Sequence, residues 1–276
     1  MFAFLFKRHS VRSGERKQTT RLELQSLEGR EVPASLFTPD GHLQITGTEG
    51  DDNIRIRVEG DRLQVMFGDR FDPIQRSGRL YDALIVSRVR RITINGLGGN
   101  DWIDATNSPL GVTINGGAGD DRIFGSNFVD RIDVGAGTSN IAFGMDGNDT
   151  IFGGSGRDTL YGGRGNDVLF GRTGNDVLWG EWGNDTLLGE TGDDSLYGGA
   201  GDDMLLGGNG ADLLDGGSGD ADAADAFYGI DVTRGLENST QGGSRLVVNG
   251  ALMSDIRQTE RPYCVFYSHL AGMAGI

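Results

Sequence analysis

The 276-residue sequence is poor in three residue types that usually anchor a fold or a site: one cysteine (Cys264), five prolines and three histidines. A lone cysteine excludes an internal disulfide framework. His9, His42 and His269 lie far apart and suggest no zinc site. Long apolar runs are missing too. The longest early one, Phe2 to Phe6, falls well short of the ~20 residues a membrane-crossing helix needs, so no membrane span is expected. It is also short for a secretory signal, and its basic residues follow it rather than precede it. Basic charge is scarce overall: 25 Lys and Arg stand against 40 Asp and Glu, a net charge of −15. Such a surface argues against nucleic acid as a partner and favours cations.

What is abundant is glycine, 48 residues of it, and its placement divides the chain. Residues 1–36 form a basic leader holding Lys7, Arg8, Arg12, Arg16, Lys17 and Arg21. Residues 37–95 alternate apolar and polar residues in the runs NIRIRVEG, DRLQVMFG, ALIVS and RRITIN, which read as strands, with a tight turn at EGD. Residues 96–219 are periodic. Residues 220–276 show no clear period, although RLVVNG suggests one strand.

In the periodic zone, twelve units begin at positions 96, 116, 125, 134, 144, 153, 162, 171, 180, 189, 198 and 207. From Gly144 to Asp215 they follow one another without a break, every nine residues. The sixth position is Asp101, Asp121, Asp130, Asp149, Asp158, Asp167, Asp176, Asp185, Asp194, Asp203 and Asp212, with Ser139 as the exception. The eighth is Ile or Leu throughout. Glycine holds the first and fourth positions in eleven units each. Unit 134–142 starts with Val134, and Phe143 reads as an extra residue after it. GTEGDDNIR at 47–55 looks like a remote unit with Asp52 in the aspartate column. At 216–224 the sixth position is Ala221, so the column is expected to end near Asp212, with Asp220 and Asp222 close by.

The pattern implies a solenoid. Six residues of each unit make a turn and three a short strand, with one apolar residue facing inward. Two units complete a coil of 18 residues, and coils stack at about 4.8 Å. Aspartates 18 apart then fall in register: Asp158, Asp176, Asp194 and Asp212 along one edge, Asp149, Asp167, Asp185 and Asp203 along the other. At an effective dielectric near 20 the repulsion is about 3 to 4 kcal/mol per pair. A cation is needed to remove it at neutral pH. With oxygen ligands only, and neither Cys nor His in the units, that cation is Ca²⁺ rather than zinc or copper. Binding free energy would then be folding free energy. The expected fold is an all-β parallel β-roll with two nonapeptide units per coil, preceded by a strand-rich segment.

The motif GGxGxDxUx, with U a large apolar residue, resembles the RTX nonapeptide, the hemolysin-type calcium-binding repeat. The resemblance implies a right-handed β-roll with several calcium ions between turns of successive coils, each held by the aspartates above and by turn carbonyls. RLELQSLEGREVPA resembles the LE-x-LE-x-R-x-VPA leader of some bacterial exported and surface proteins, which implies an extracellular or cell-surface location. No HExxH or GxSxG motif is present, so no enzyme is expected. Arg157, Arg164 and Arg172 stand at variable turn positions and read as solvated charges.

The ninth residue of each unit should face outward. One sheet then carries Tyr161, Trp179 and Tyr197, the other Phe152, Phe170, Leu188 and Leu206. The plain reading is stacking between neighbouring strands. Two sharper ones are cover of the apolar stripe by the C-terminal tail or by a second copy of the chain, and carbohydrate binding, cell-surface polysaccharide for instance, on the aromatic stripe.

Overall fold

The computed structural model describes residues 33–218 and four short strands beyond them, 223–225, 232–234, 247–248 and 251–252. The basic leader, apart from its last four residues, and nearly all of the tail, including Ala221, Asp220 and Asp222, lie outside the described residues.

Period decides the architecture. From Arg131–Ala136 to Leu213–Ser218 each strand is six residues long rather than the expected three, as in Thr159–Arg164, Val168–Thr173 and Val177–Trp182, whereas Trp102–Asp104 and Arg122–Phe124 are three. From Arg91 to Ser218 successive strands alternate between two sheets, which have twelve and fourteen strands among the described residues. Each strand from Arg91–Gly98 to Leu213–Ser218 therefore pairs in parallel with the one two units away. Leu160 pairs with Leu178, Leu178 with Leu196 and Leu196 with Leu214; on the other sheet Ile151 pairs with Leu169, Leu187 and Leu205 in turn. The chain forms a parallel β-solenoid of about seven turns, and no α-helix occurs among the described residues.

The core is one file of apolar side chains per sheet, all with 0 % exposure: Ile103, Ile123, Ala142, Leu160, Leu178, Leu196 and Leu214 on one, Ile114, Ile132, Ile151, Leu169, Leu187 and Leu205 on the other. Each residue touches its like above and below, so a deletion leaves a void its neighbours cannot close. Leu178→Ala is expected to cost about 2–5 kcal/mol, read as a lowered thermal midpoint in saturating calcium. Thr186→Ala, half-exposed on the outward face, should stay within about 0.5 kcal/mol.

Stacking begins before the periodic zone. His42–Thr46 pairs in parallel with Arg91–Gly98, Leu43 beside Ile92 and Ile45 beside Ile94. Asn53–Glu59 pairs with Trp102–Asp104, Ile54 beside Ile103. Between them the chain leaves the coil. Asn53–Glu59 turns back on Arg62–Phe67 through Gly60 and Asp61, with Gly60 at φ 60°. The strands Arg70–Asp72 and Arg79–Tyr81 then end the two sheets. Both are three residues long and begin with arginine, which blunts an edge that could otherwise pair with another chain. Of ALIVS only Leu84–Ile85 is strand; Val86–Arg88 is a 3-10 turn.

Two further details of the periodic reading change. Asn140, not Ser139, stands in the aspartate column: Ile141, Ala142 and Phe143 pair with Thr159, Leu160 and Tyr161. The extra residue is thus in the turn around Thr138 and Ser139, and Phe143 is a regular ninth-column residue. A slip of one residue exchanges the faces of a strand, which is why Ala142 is buried and Ile141 half-exposed.

Candidate metal centre

The aspartate at position six ends the turn, and its side chain points into the corner of the coil. Asp101, Asp121, Asp130, Asp149, Asp158, Asp167, Asp176, Asp185, Asp194, Asp203 and Asp212 all have 3 % exposure or less. Their Oδ1 atoms are held by the backbone. Asp149 N–H donates to Asp167 Oδ1 at 2.7 Å, Asp167 N–H to Asp185 at 2.7 Å and Asp185 N–H to Asp203 at 2.8 Å. The other edge repeats this through Asp158, Asp176, Asp194 and Asp212. It continues backward from Asp158 through Asn140, Asp121 and Asp101 to Asp52. The two edges inferred from 18-residue spacing are therefore continuous hydrogen-bonded rows.

The second oxygen is different. Oδ2 of Asp101, Asp121, Asp149, Asp167, Asp176, Asp185 and Asp194 is buried and has no hydrogen-bond partner among the described residues. Each points at the first glycine of its own unit. A Cβ built on Gly162 would stand 2.4 Å from Asp167 Oδ2 and 2.9 Å from the carbonyl oxygen of Gly180, one coil on. Gly171, Gly180, Gly189 and Gly144 show the same pair of oxygens in the same place. The first position is thus glycine because a carboxylate and a carbonyl converge where a side chain would go.

A buried carboxylate with an idle oxygen is costly in its charged form. Burial pushes Asp149 up to about 8, with Asp130 and Asp167 nearby adding to the rise against the Asp130 N–H that lowers it. It pushes Asp101, Asp176 and Asp185 up to about 7, and Asp121, Asp167 and Asp194 to about 6. No group of three or more His, Cys, Asp or Glu side chains gathers among the described residues. An ion here would draw on one or two carboxylates, with backbone carbonyls completing its shell. Idle buried anionic oxygens beside carbonyls, with no nitrogen or sulfur donor, fit a hard cation such as Ca²⁺.

Three corners depart from this. At Asp52 the Thr48 N–H and hydroxyl donate to Oδ2, the hydroxyl at 3.0 Å. At Asp130 the Ser126 N–H donates to Oδ2 and its hydroxyl to Oδ1 at 2.7 Å. At Asp158 the Gly154 N–H donates to Oδ2 at 2.8 Å, while Oδ1 takes both the N–H and the side-chain amide of Asn140, at 2.9 and 3.0 Å. Arg172 is not a solvated charge: it pairs with Asp133 through two hydrogen bonds of 3.1 Å and lies 4.9 Å over the Phe152 ring.

A second row escaped the sequence reading. Position five carries Asn148, Asn166, Asn175, Asn184 and Asp193, whose side-chain oxygens accept the N–H one coil later: Asn166 to Asn148 at 2.9 Å, Asn184 to Asn166 at 3.0 Å, Asp193 to Asn175 at 3.1 Å, Asp202 to Asn184 at 3.1 Å and Ala211 to Asp193 at 2.9 Å. The signal was available as an Asn/Asp bias at a position treated as variable. These short polar side chains are suited to capturing backbone N–H groups in turns.

The fold and its corners define a parallel β-solenoid with rows of buried acidic groups at both edges. The family model for the RTX calcium-binding nonapeptide repeat matches residues 93–107, 112–132, 134–169, 161–196 and 188–221. The repeats of this chain are therefore RTX nonapeptide repeats. No curated protein matches the sequence.

Proposed function

We propose that the coil binds several calcium ions and that its folding is coupled to that binding. The observation that carries this is the set of buried Oδ2 atoms without a donor at Asp101, Asp121, Asp149, Asp167, Asp176, Asp185 and Asp194. By register the edges continue through Asp203 and Asp212. Bound calcium would supply charge balance to groups that otherwise must protonate or stay apart. These residues then act as ligands and as anchors for the preceding coil, since Oδ1 holds the neighbouring backbone. The coil reads as structural rather than catalytic, because its buried carboxylates are engaged by the stack itself.

We read residues 1–36 as an export-type leader, 37–95 as a lead-in, 96–219 as the calcium-binding roll and 220–276 as a tail. Extracellular calcium modules bind at roughly 10⁻⁴ to 10⁻³ M. A chain of that affinity stays loose at low cytosolic calcium and sets outside the cell, which suits a secreted or surface protein with a structural, adhesive or matrix role. The outward aromatic column supports stability more than sugar recognition. Phe124, Phe143 and Tyr161 stack face to face with centroids 4.9 and 4.7 Å apart, and Trp179 lies 3.9 Å from Tyr197. Ring faces occupied by one another are closed to a sugar.

Calcium titration followed by far-ultraviolet circular dichroism tests the reading. Strand signal is expected to rise cooperatively, and magnesium at equal concentration should not reproduce it, since Mg²⁺ demands a tight octahedron and keeps its waters. A metal count of zero on the folded protein would refute it.

A further inference from the structure

The structure divides the corners into two kinds by the conformation at the second position of the unit. At the regular corners this residue has positive φ: Gly163 at 112°, Arg172 at 75°, Glu181 at 76°, Glu190 at 74° and Gly199 at 113°. At Asp167, Asp176, Asp185 and Asp194 the backbone donor to the carboxylate, among the described residues, is then the aspartate of the preceding coil, as Asp149 is for Asp167. Thr48, Ser126 and Gly154 hold the same position without positive φ, and each turns its N–H onto Oδ2 of its own unit's aspartate. Thr48 and Ser126 reinforce this with their hydroxyls.

Gly154 has no hydroxyl, and a residue from the next coil does the reinforcing. The peptide between Gly153 and Gly154 turns its N–H inward to Asp158 and its carbonyl oxygen toward Arg172, whose Nη1 donates to it at 3.0 Å. The Arg172 guanidinium is itself fixed by Asp133. Its backbone pays a conformational cost, a non-glycine residue at φ 75°, of a kind kept where surrounding contacts enforce it. Asp158 thereby receives three neutral donors, and the residue before it in its row, Asn140, carries no charge.

We infer that Asp52, Asp130 and Asp158 form corners closed by protein donors and take no calcium, and that Arg172 is the positioning residue that keeps the Asp158 corner closed. This rests on the calcium reading above and goes beyond it: the acidic row is interrupted at Asp158 rather than filled throughout. A guanidinium on the outside of the corner holds the peptide so that an N–H occupies the place a metal takes elsewhere.

The test is a count of bound ions by native mass spectrometry and by elemental analysis of dialysed full-length protein, with calcium chloride as the only ligand. Asp158→Asn is expected to bind as many ions as the wild type, whereas Asp176→Asn binds one fewer. Arg172→Gly, which puts the usual glycine at a positive-φ position and frees the Gly153 carbonyl, is expected to bind one more. Asp158→Asn together with Arg172→Gly should return the count to the wild-type value. Loss of one ion in Asp158→Asn alone, or an unchanged count in Arg172→Gly, would overturn the inference while leaving calcium binding intact. A wild type that binds none removes both readings.

Discussion

Asp176→Ala is expected to raise the calcium concentration at half-folding by about five- to a hundredfold, whereas Asp52→Ala shifts it less than about twofold. The two aspartates share a column, yet their environments differ. Asp176 contributes an idle buried oxygen to its corner and anchors the Asp158 N–H at 2.8 Å through the other. Alanine there removes a ligand and also strands a buried donor, a loss of roughly 1–3 kcal/mol, which is the stated range in concentration because 1.4 kcal/mol is tenfold. Asp52 is part-buried, and its Oδ2 is satisfied by Thr48, so its removal costs local hydrogen bonds at the coil's first turn and no metal. The calcium dependence of the strand signal in circular dichroism, measured for both variants beside the wild type, checks this. Equal shifts would show that position in the repeat, not the state of Oδ2, governs binding.

The reason a nine-residue motif reveals so much is that the coil has little freedom once two rules are given. Leu169, Leu178 and Leu187 alternate between two sheets because nine residues make half a coil, and their aspartates must then stack at 18. Spacing alone yields this register and both acidic edges. The break near Ser139 is where spacing fails. Counting nine from Val134 gives Ser139 and Ile141, but burial prefers Asn140 and Ala142, because Phe143 continues the outward stack between Phe124 and Tyr161. A tertiary contact, absent from a local count, decides the phase. The closed corners are legible only in part. Thr48 and Ser126 are visible in sequence as hydroxyl residues at a glycine position, but Gly154 matches the motif perfectly, and only the Arg172 contact from the next coil distinguishes it. The cap formed by residues 60–90 follows from pairing direction, which alternating strands do not encode.

In protein stripped of calcium, acid is expected to do part of the metal's work. The folded values of Asp149, Asp101, Asp176, Asp185, Asp121, Asp167 and Asp194 stand between about 6 and about 8, raised by burial from an ordinary 3.8. A raised folded value means the folded coil binds protons that the unfolded chain has released. Stability from this source is fully present below about pH 4 and is lost as pH rises through 6 to 8. The exposed carboxylates Asp40 and Asp120 shift the opposite way, held down chiefly by hydrogen bonds from Thr38 and Thr138, and lose their contribution only below the usual carboxylate range. Half-buried His42, lowered by burial and by Arg91, opposes the trend as a single group against these seven carboxylates and against Asp72, Asp130 and Asp158, which burial also raises. Strand signal without calcium should therefore be greater at pH 5 than at pH 8. With saturating calcium the order reverses or vanishes, because ion and protons compete for the same oxygens and binding releases protons. Circular dichroism across pH 5–8, with and without calcium, reads both effects, and calorimetry in buffers of different ionisation enthalpy reads the released protons. A metal-free chain equally ordered across that range would mean that the corner carboxylates tolerate their charge unaided, and the coupling of folding to calcium would lose its cause.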